Sequence, residues 1–142
     1  MEDFLGLVNL APIDKEELRT ISPLVFAYIG DALYEIYIRT YIVHKYRLKV
    51  NDLNKISRGF VKASAQSKIV HALGDKLREE EWKIVKKGRN QKSGTVAKNA
   101  SISDYRYATG FECLLGYLYL SGKKERLEEI IREGISIIEG GK

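Results

Sequence analysis

Two long segments of the chain are apolar on nearly every side. The first runs from about Leu24 to His44 and follows Ser22-Pro23, a pair typical of a helix N-cap and first turn. The second runs from Asp104 to Leu120 and is followed by Ser121-Gly122, which predicts a helix end. Because a helix that is apolar all round is normally buried, we expect these segments to form the centre of the fold.

Amphipathic patterns predict shorter helices around this centre. Asp14 and the acids that follow it are typical of a capping box. Residues 88–103 lack apolar periodicity and are predicted to form a loop. Helix-forming residues are abundant and no repeat or linker divides the chain, so the sequence predicts an all-α protein with one domain over residues 1–142. The remaining predicted helices are Asn51–Ile56, Val61–Leu73, Glu79–Lys87 and Lys124–Ile138.

The first apolar segment is long enough to span a bilayer, but its charges argue against a membrane. Asp31, Glu35 and Arg39 lie inside it, and a charge at the centre of a bilayer is unfavourable. The second segment is too short for a span. We therefore expect no membrane association. The lone Cys113 and the N-terminus without a basic, apolar leader fit a reducing cytoplasm.

The formal net charge of +5 favours a polyanionic partner, and part of the excess is concentrated in residues 86–99. This stretch mixes Lys and Arg with amides, hydroxyls and glycines, and it contains no acid. Such groups bind phosphates and ribose hydroxyls, although a solvated loop is the common alternative. We predict a surface that binds the backbone of double-stranded RNA. Its candidate contacts are Lys86, Lys87, Arg89, Asn90, Lys92, Ser93, Thr95 and Lys98.

Two acids stand out because they lie within the apolar segments. Asp31 follows Gly30, a poor residue for a helix interior, and Glu112 shares its helix face with small residues such as Gly116. Small residues allow another helix to approach closely. If the two apolar helices pack together, both carboxylates enter one pocket, where they stay ionised only with a cation between them. Mg²⁺ prefers such oxygen ligands.

A second interpretation of Asp31 remains open on the sequence. Asp31, Glu35 and Arg39 are four residues apart and therefore form one stripe along a helix. That stripe is also typical of a solvated surface in which Glu35 and Arg39 form a weak ion pair. Spacing alone favours the solvated stripe over a metal site for Asp31, whereas Glu112 has few other charges near it.

Two motifs resemble the ribonuclease III family. Tyr28-Ile29-Gly30-Asp31-Ala32-Leu33 resembles the Phe-Leu-Gly-Asp-Ala centre of the family's signature helix. The segment Ala108–Leu120, preceded by a basic Gly-rich stretch, resembles the family's second motif. The Gly-Arg-Asn-x-Lys-Ser-Gly-Thr and Tyr-Arg-Tyr-x-Thr-x-Phe-Glu sequences are most similar to the Mini-ribonuclease III branch, a bacterial branch without the double-stranded RNA-binding domain. Only 22 residues follow Leu120, too few to build that domain.

The resemblance implies an all-helical homodimer that hydrolyses both strands of double-stranded RNA. It implies Mg²⁺ as cofactor, which Mn²⁺ can replace, 5′-phosphate and 3′-hydroxyl products, and maturation of the ends of large-subunit (23S) ribosomal RNA precursors. By position, Asp31 and Glu112 are then the catalytic residues and metal ligands, and Tyr28 lies at the dimer interface. A ribosomal protein that presents the substrate is a further partner to consider.

The chain departs from the wider family at two acidic positions. The acids that the family has four residues before Asp31 and three before Glu112 are Ala27 and Thr109 here, as in the Mini branch. With two carboxylates instead of four, more of the metal ligands must be water or RNA phosphate. We expect Thr109 to hold a metal-bound water and Glu35 to lie next to the metal ligands.

Two other functions are compatible with the same sequence. A double-stranded RNA-binding module that has lost catalysis would bind RNA in a salt-sensitive way without Mg²⁺-dependent products, for example in ribosome assembly. A helical interaction protein, whose apolar faces only dimerise, would have no RNA affinity above that of other basic proteins.

Overall fold

The computed structural model describes residues 4–91 and 101–140, and these residues form α-helices without any strand, which confirms the predicted all-α class. None of these helices combines the length and the apolar character needed to cross a membrane. The helices are α1 (Phe4–Leu7), α2 (Lys15–Leu18), α3 (Pro23–Lys45), α4 (Val50–Val61), α5 (Ala63–Leu73), α6 (Glu79–Arg89), α7 (Ile102–Leu120) and α8 (Lys124–Ile138), with a 3-10 turn at Gly74–Lys76.

The two apolar helices α3 and α7 form the centre of the fold, as predicted. The Ser22 hydroxyl accepts a hydrogen bond from the first turn of α3 at 3.3 Å, so this helix begins where the sequence indicated. Helix α7 begins at Ile102, earlier than predicted, because Ser101 is its N-cap. The Ser101 hydroxyl accepts a hydrogen bond from the Asp104 N–H at 3.0 Å.

Glycines allow the backbones of α3 and α7 to touch. A Cβ atom on Gly30 would overlap the carbonyl oxygen of Glu112, and a Cβ atom on Gly116 would overlap the carbonyl oxygen of Phe26. The two contacts lie about one helical turn apart on each helix, so they fix both the distance and the register of the pair. This contact sets where every side chain near Gly30 and Glu112 lies.

The helices predicted at Asn51–Ile56 and Val61–Leu73 correspond to α4 and α5, but α4 continues to Val61 and the break between them lies at Lys62. Two buried side chains bind the carbonyls exposed by this break. The Tyr34 hydroxyl donates to Phe60 O at 2.9 Å, and Gln66 Nε2 donates to Val61 O at 2.8 Å. Contacts from α3 and α5 therefore stabilise a helix break where the sequence has neither Gly nor Pro.

Helix α6 extends through Arg89, so the predicted loop is wrong for its first residues. Gly88 is buried because it packs against Gly110 of α7, and this contact keeps the chain helical beyond Lys87. The N–H of Asn90 then donates to the backbone carbonyl of Lys86 at 3.0 Å and ends the helix.

A buried ion pair joins α6 to α8. Glu81 is only 3% exposed, and the Arg126 guanidinium donates to both of its carboxylate oxygens at 2.7 Å. The backbone N–H of Arg78 donates to Glu81 at 2.9 Å as well. Burial acts to raise the pKa of Glu81, but these hydrogen bonds and the charge of Arg126 outweigh it and hold that pKa below its ordinary value.

Candidate active site

The α3–α7 contact brings Asp31 and Glu112 together. Gly30, the residue before Asp31, lies against the backbone of Glu112 itself. Asp31 is exposed, whereas Glu112 is half-buried. The two carboxyl groups are near enough for the charge of Asp31 to act directly on Glu112. Asp31 and Glu112 therefore form a carboxylate pair at the edge of the core.

The surroundings of Glu112 disfavour its negative charge. Burial raises the pKa of Glu112 to about 7, and the charge of Asp31 acts in the same direction. A hydrogen bond from Gln66 lowers the pKa without offsetting these effects, and the charge of Glu35 raises it a little further. A cation placed between the two carboxylates would stabilise both of them in the ionised form.

The donor set fits a metal ion that keeps much of its water. Within residues 4–91 and 101–140, no group of three or more His, Cys, Asp or Glu side chains is arranged to hold a metal ion. Two carboxylates are what Mg²⁺ commonly takes from a protein, with waters and substrate phosphate completing its octahedron. The carboxylate pair therefore suits Mg²⁺ or Mn²⁺ better than zinc, which prefers His and Cys ligands.

Gln66 is a site residue that the sequence analysis did not identify. Its side chain is buried, and its Nε2 donates to Glu112 Oε2 at 3.3 Å. A signal for it exists in the sequence. Gln66 occupies the same helical face as Ile69, Val70 and Leu73, at the i, i+3, i+4, i+7 spacing of a core stripe. An amide in that position must find buried partners, and these are Val61 O and the Glu112 carboxylate.

Glu35 and Thr109 both lie near the carboxylate pair. Arg39 Nε donates to Glu35 Oε2 at 2.9 Å, which confirms the predicted ion pair and leaves Glu35 half-buried beside the site. The Thr109 hydroxyl donates to Tyr105 O at 3.0 Å, so its oxygen can only accept a hydrogen bond from a metal-bound water. The roles proposed for these two residues stay predictions.

The described part of the predicted RNA surface lies on the last turn of α6. Lys86 and Lys87 are exposed, while the Arg89 guanidinium packs over the Tyr107 ring at 5.6 Å and donates to Asn90 Oδ1 at 3.1 Å. Arg89 is thus held in one orientation by its neighbours. The other predicted contacts, Lys92, Ser93, Thr95 and Lys98, lie outside the described residues.

Tyr28 is the most exposed large apolar residue among the described ones, with 79% of its surface accessible. It lies in an exposed apolar stripe of α3 that includes Val25, Ile36 and Val43 at helical spacings. Contiguous exposed apolar residues of this kind are typical of an interface with another protein chain.

Comparison with known proteins places these features in a family. The sequence profile described as "Ribonuclease III domain" matches residues 24–123. Two curated proteins named Mini-ribonuclease 3 are similar over most of their length. The protein from Clostridium tetani is 56% identical over 88% of this chain and 83% of its own, and the protein from Thermoanaerobacter sp. is 50% identical over 94% of each chain.

A solved structure has the same fold. The crystal structure of a Fusobacterium nucleatum protein superimposes with a TM-score of 0.76 and 32% identity, covering 84% of this chain and 96% of that protein. The profile match contains both members of the carboxylate pair and the glycine contact between their helices. The chain therefore belongs to the ribonuclease III family, and within it to the Mini-ribonuclease III branch.

Proposed function

We propose that this chain is a Mg²⁺-dependent enzyme that cuts both strands of double-stranded RNA and leaves 5′-phosphate and 3′-hydroxyl ends. As a ribonuclease III family member it is an endoribonuclease. The observation that carries the finer proposal is the carboxylate pair. Asp31 and Glu112 meet at a backbone contact that has no room for a side chain, and the surroundings of Glu112 disfavour its charge without a cation. Residues 1–142 act as a single catalytic domain.

In the proposed mechanism, Asp31 and Glu112 hold the ion. A bound Mg²⁺, or Mn²⁺ in its place, supplies a Lewis acid and lowers the pKa of a coordinated water. Asp31, which is exposed, lies on the solvent side, where an RNA phosphate has access. Glu112, half-buried and hydrogen-bonded to Gln66, anchors the inner side. When the ion is bound, the Thr109 hydroxyl oxygen would accept a hydrogen bond from one of its waters, and Glu35 would add negative charge beside the site.

The RNA duplex is positioned by the basic end of α6 and the residues after it. Cations bind the phosphates, and amides or hydroxyls donate to phosphate and ribose oxygens without reading bases. Arg89 contributes most per residue because the Tyr107 ring and Asn90 already orient its guanidinium. The proposed contacts are Lys86, Lys87, Arg89, Asn90, Lys92, Ser93, Thr95 and Lys98.

The proposed enzyme is a homodimer in the cytoplasm that pairs through the exposed apolar stripe of α3, of which Tyr28 is the most exposed member. Two copies supply two carboxylate pairs, one for each RNA strand. The proposed substrate is the duplex that joins the ends of the large-subunit (23S) ribosomal RNA precursor, by resemblance to the Mini-ribonuclease III branch. A ribosomal protein bound to that precursor is a candidate for presenting the duplex.

The deciding experiment is cleavage of a uniform RNA duplex with and without Mg²⁺ by the wild type and by Asp31→Asn. The asparagine keeps the shape of the side chain and removes its charge. We expect Mg²⁺-dependent cutting in the wild type and a loss of about 10³-fold in the variant, because one ligand to a Lewis acid contributes several kcal/mol to the transition state. Asp75→Asn, which changes an exposed acid in the 3-10 turn, is the matched control.

The same experiment tests the second candidate function, a double-stranded RNA-binding module without catalysis. The observation in its favour is that the site holds two carboxylates, fewer than the wider family has. Retained RNA binding without Mg²⁺-dependent products in the wild type would favour that module. Equal cutting by the wild type and Asp31→Asn would contradict the proposed site.

A further inference from the structure

We infer that Gln66 is a positioning residue that holds the Glu112 carboxylate in the orientation needed to bind Mg²⁺, an inference that rests on the proposed function. Gln66 lies on α5, and only 3% of its surface is exposed. Its side chain is therefore too deeply buried to contact RNA directly. It acts on the site through Glu112 alone.

Both amide hydrogens of Gln66 are engaged. Nε2 donates to Val61 O at 2.8 Å and to Glu112 Oε2 at 3.3 Å. Val61 is the last residue of α4, so its carbonyl has no partner within its own helix. This carbonyl also sets the orientation of the amide. If the amide were flipped, its oxygen would face the oxygens of Val61 and Glu112, and both contacts would become repulsive.

The oxygen atom of the Gln66 amide destabilises the folded protein. Gln66 Oε1 is buried and has no hydrogen-bond partner among the described residues. An unpaired buried acceptor destabilises a protein, and an apolar side chain of the same length at this core position would avoid it. Apolar packing therefore does not account for a glutamine at position 66, whereas its two hydrogen bonds do, one to the helix-end carbonyl of Val61 and one to Glu112.

The hydrogen bond also leaves the carboxylate ready for an ion. It engages Oε2 of Glu112, so the second oxygen is available to the metal. A glutamate side chain has several rotatable bonds, and fixing them in advance removes an entropic penalty from metal binding. Asp31 needs no equivalent partner, because its shorter side chain directly follows the glycine contact between α3 and α7.

The test compares Gln66→Met with the wild type by Mn²⁺ binding, measured by electron paramagnetic resonance on the full chain, and by thermal unfolding. Methionine keeps the length and removes the donors. We expect the Kd for Mn²⁺ to rise about 10- to 100-fold, as when a partner that orients a metal ligand is removed. The protein should stay folded with Tm lowered by about 3–10 °C, because Val61 O also loses its donor. Ser67→Ala, a change at the neighbouring buried polar residue, is the control and should leave both values unchanged.

A double-mutant cycle shows through which residue Gln66 acts. In a Glu112→Gln background, Gln66→Met should have no further effect on the Kd for Mn²⁺, because the residue it orients no longer carries a charge. In cleavage assays, Gln66→Met should raise the Mg²⁺ concentration for half-maximal rate by the same factor, and excess Mg²⁺ should restore most of the rate.

Two results would overturn the inference. One is a Kd for Mn²⁺ in Gln66→Met within twofold of the wild type. The other is a loss of folding in both Gln66→Met and Gln66→Leu, since Gln66 would then be structural. Failure of the proposed function has a different signature, which is cleavage by the wild type that does not depend on Mg²⁺ or on Asp31.

Discussion

Two carboxylates in this protein, Glu81 and Glu112, are both turned towards the core, but their surroundings are opposite. Glu81 accepts two hydrogen bonds from Arg126 at 2.7 Å and one from a backbone N–H at 2.9 Å. Glu112 accepts one longer bond, 3.3 Å from Gln66, and faces a second acid, Asp31. The pKa of Glu81 is accordingly held low, while that of Glu112 is raised to about 7.

The difference separates a carboxylate that supports the fold from one that is poised for a ligand. At Glu81 the protein supplies the counter-charge, so α6 and α8 are joined by a neutral pair. At Glu112 the glycine contacts and the Gln66 amide fix where the carboxylate lies, but no side chain of opposite charge compensates its negative charge. A bound cation would supply the counter-charge that Glu112 lacks. The contrast identifies the candidate site without reference to any relative.

Removing the partner of Glu81 should have the largest effect on stability. Arg126→Met removes the two shortest charged contacts of a buried carboxylate and leaves it only the Arg78 N–H and the more distant Arg78 guanidinium, at 3.9 Å. We expect the free energy of unfolding to fall by about 3 kcal/mol. Urea denaturation at pH 7 measures it. Arg132→Met, at an exposed arginine of the same helix, should change little. The double variant Arg126→Met with Glu81→Met should recover much of the loss, and a failure to recover would mean that packing matters more than charge here.

A side chain added at the contact between Gly30 and Glu112 should disrupt the carboxylate pair. Gly30→Ala forces a methyl group into the backbone of Glu112, and we expect a loss of about 1–3 kcal/mol in the free energy of unfolding. RNA cleavage should fall more than stability does, because α3 moves Asp31 away from Glu112. Gly59→Ala in α4, where a Cβ atom meets nothing within 4 Å, is the control and should stabilise the protein by up to ~1 kcal/mol. Full activity in Gly30→Ala would contradict this account.

The pH dependence of stability should differ in sign between the two acids. The pKa of Glu112 is raised in the folded protein. Its contribution to the free energy of unfolding is therefore fully present below its ordinary pKa of 4.5 and is lost as the pH rises through about 7. With a chelator at pH 8, Glu112→Gln should therefore be more stable than the wild type by about 1–2 kcal/mol, and the gap should vanish at pH 4.

Glu81→Gln provides the opposite case. Because the folded-state pKa of Glu81 is lowered, its contribution is present above the ordinary pKa and is lost as the pH falls. Glu81→Gln should therefore destabilise the protein at pH 8 and matter less in acid. If the free energy of unfolding changed with pH in the same way for Glu81→Gln and Glu112→Gln, the proposed difference between the two carboxylates would be wrong.

The sequence predicted those features that depend on local signals. Helix α8 has its predicted bounds, Lys124–Ile138, because a turn precedes it and glycines follow it. The position of the break at Lys62 and the extension of α6 through Gly88 were not predictable, since both depend on contacts with distant helices. The meeting of Asp31 and Glu112 followed from the small residues around them. Gln66 was missed because a core stripe is recognised by its apolar residues, and an amide within it is easily overlooked.

The backbone contact at Gly30 also bears on how the site moves. Where two helices touch most closely, that point acts as the pivot of their relative motion, and displacements grow with distance from it. Asp31 and Glu112 lie within one residue of the pivot. Thermal bending of the helix ends therefore swings distant residues such as Leu120 by more than it changes the separation of the two carboxylates. The second contact, between Gly116 and Phe26, lies one turn further along, so the two contacts together resist changes in the separation of the acids.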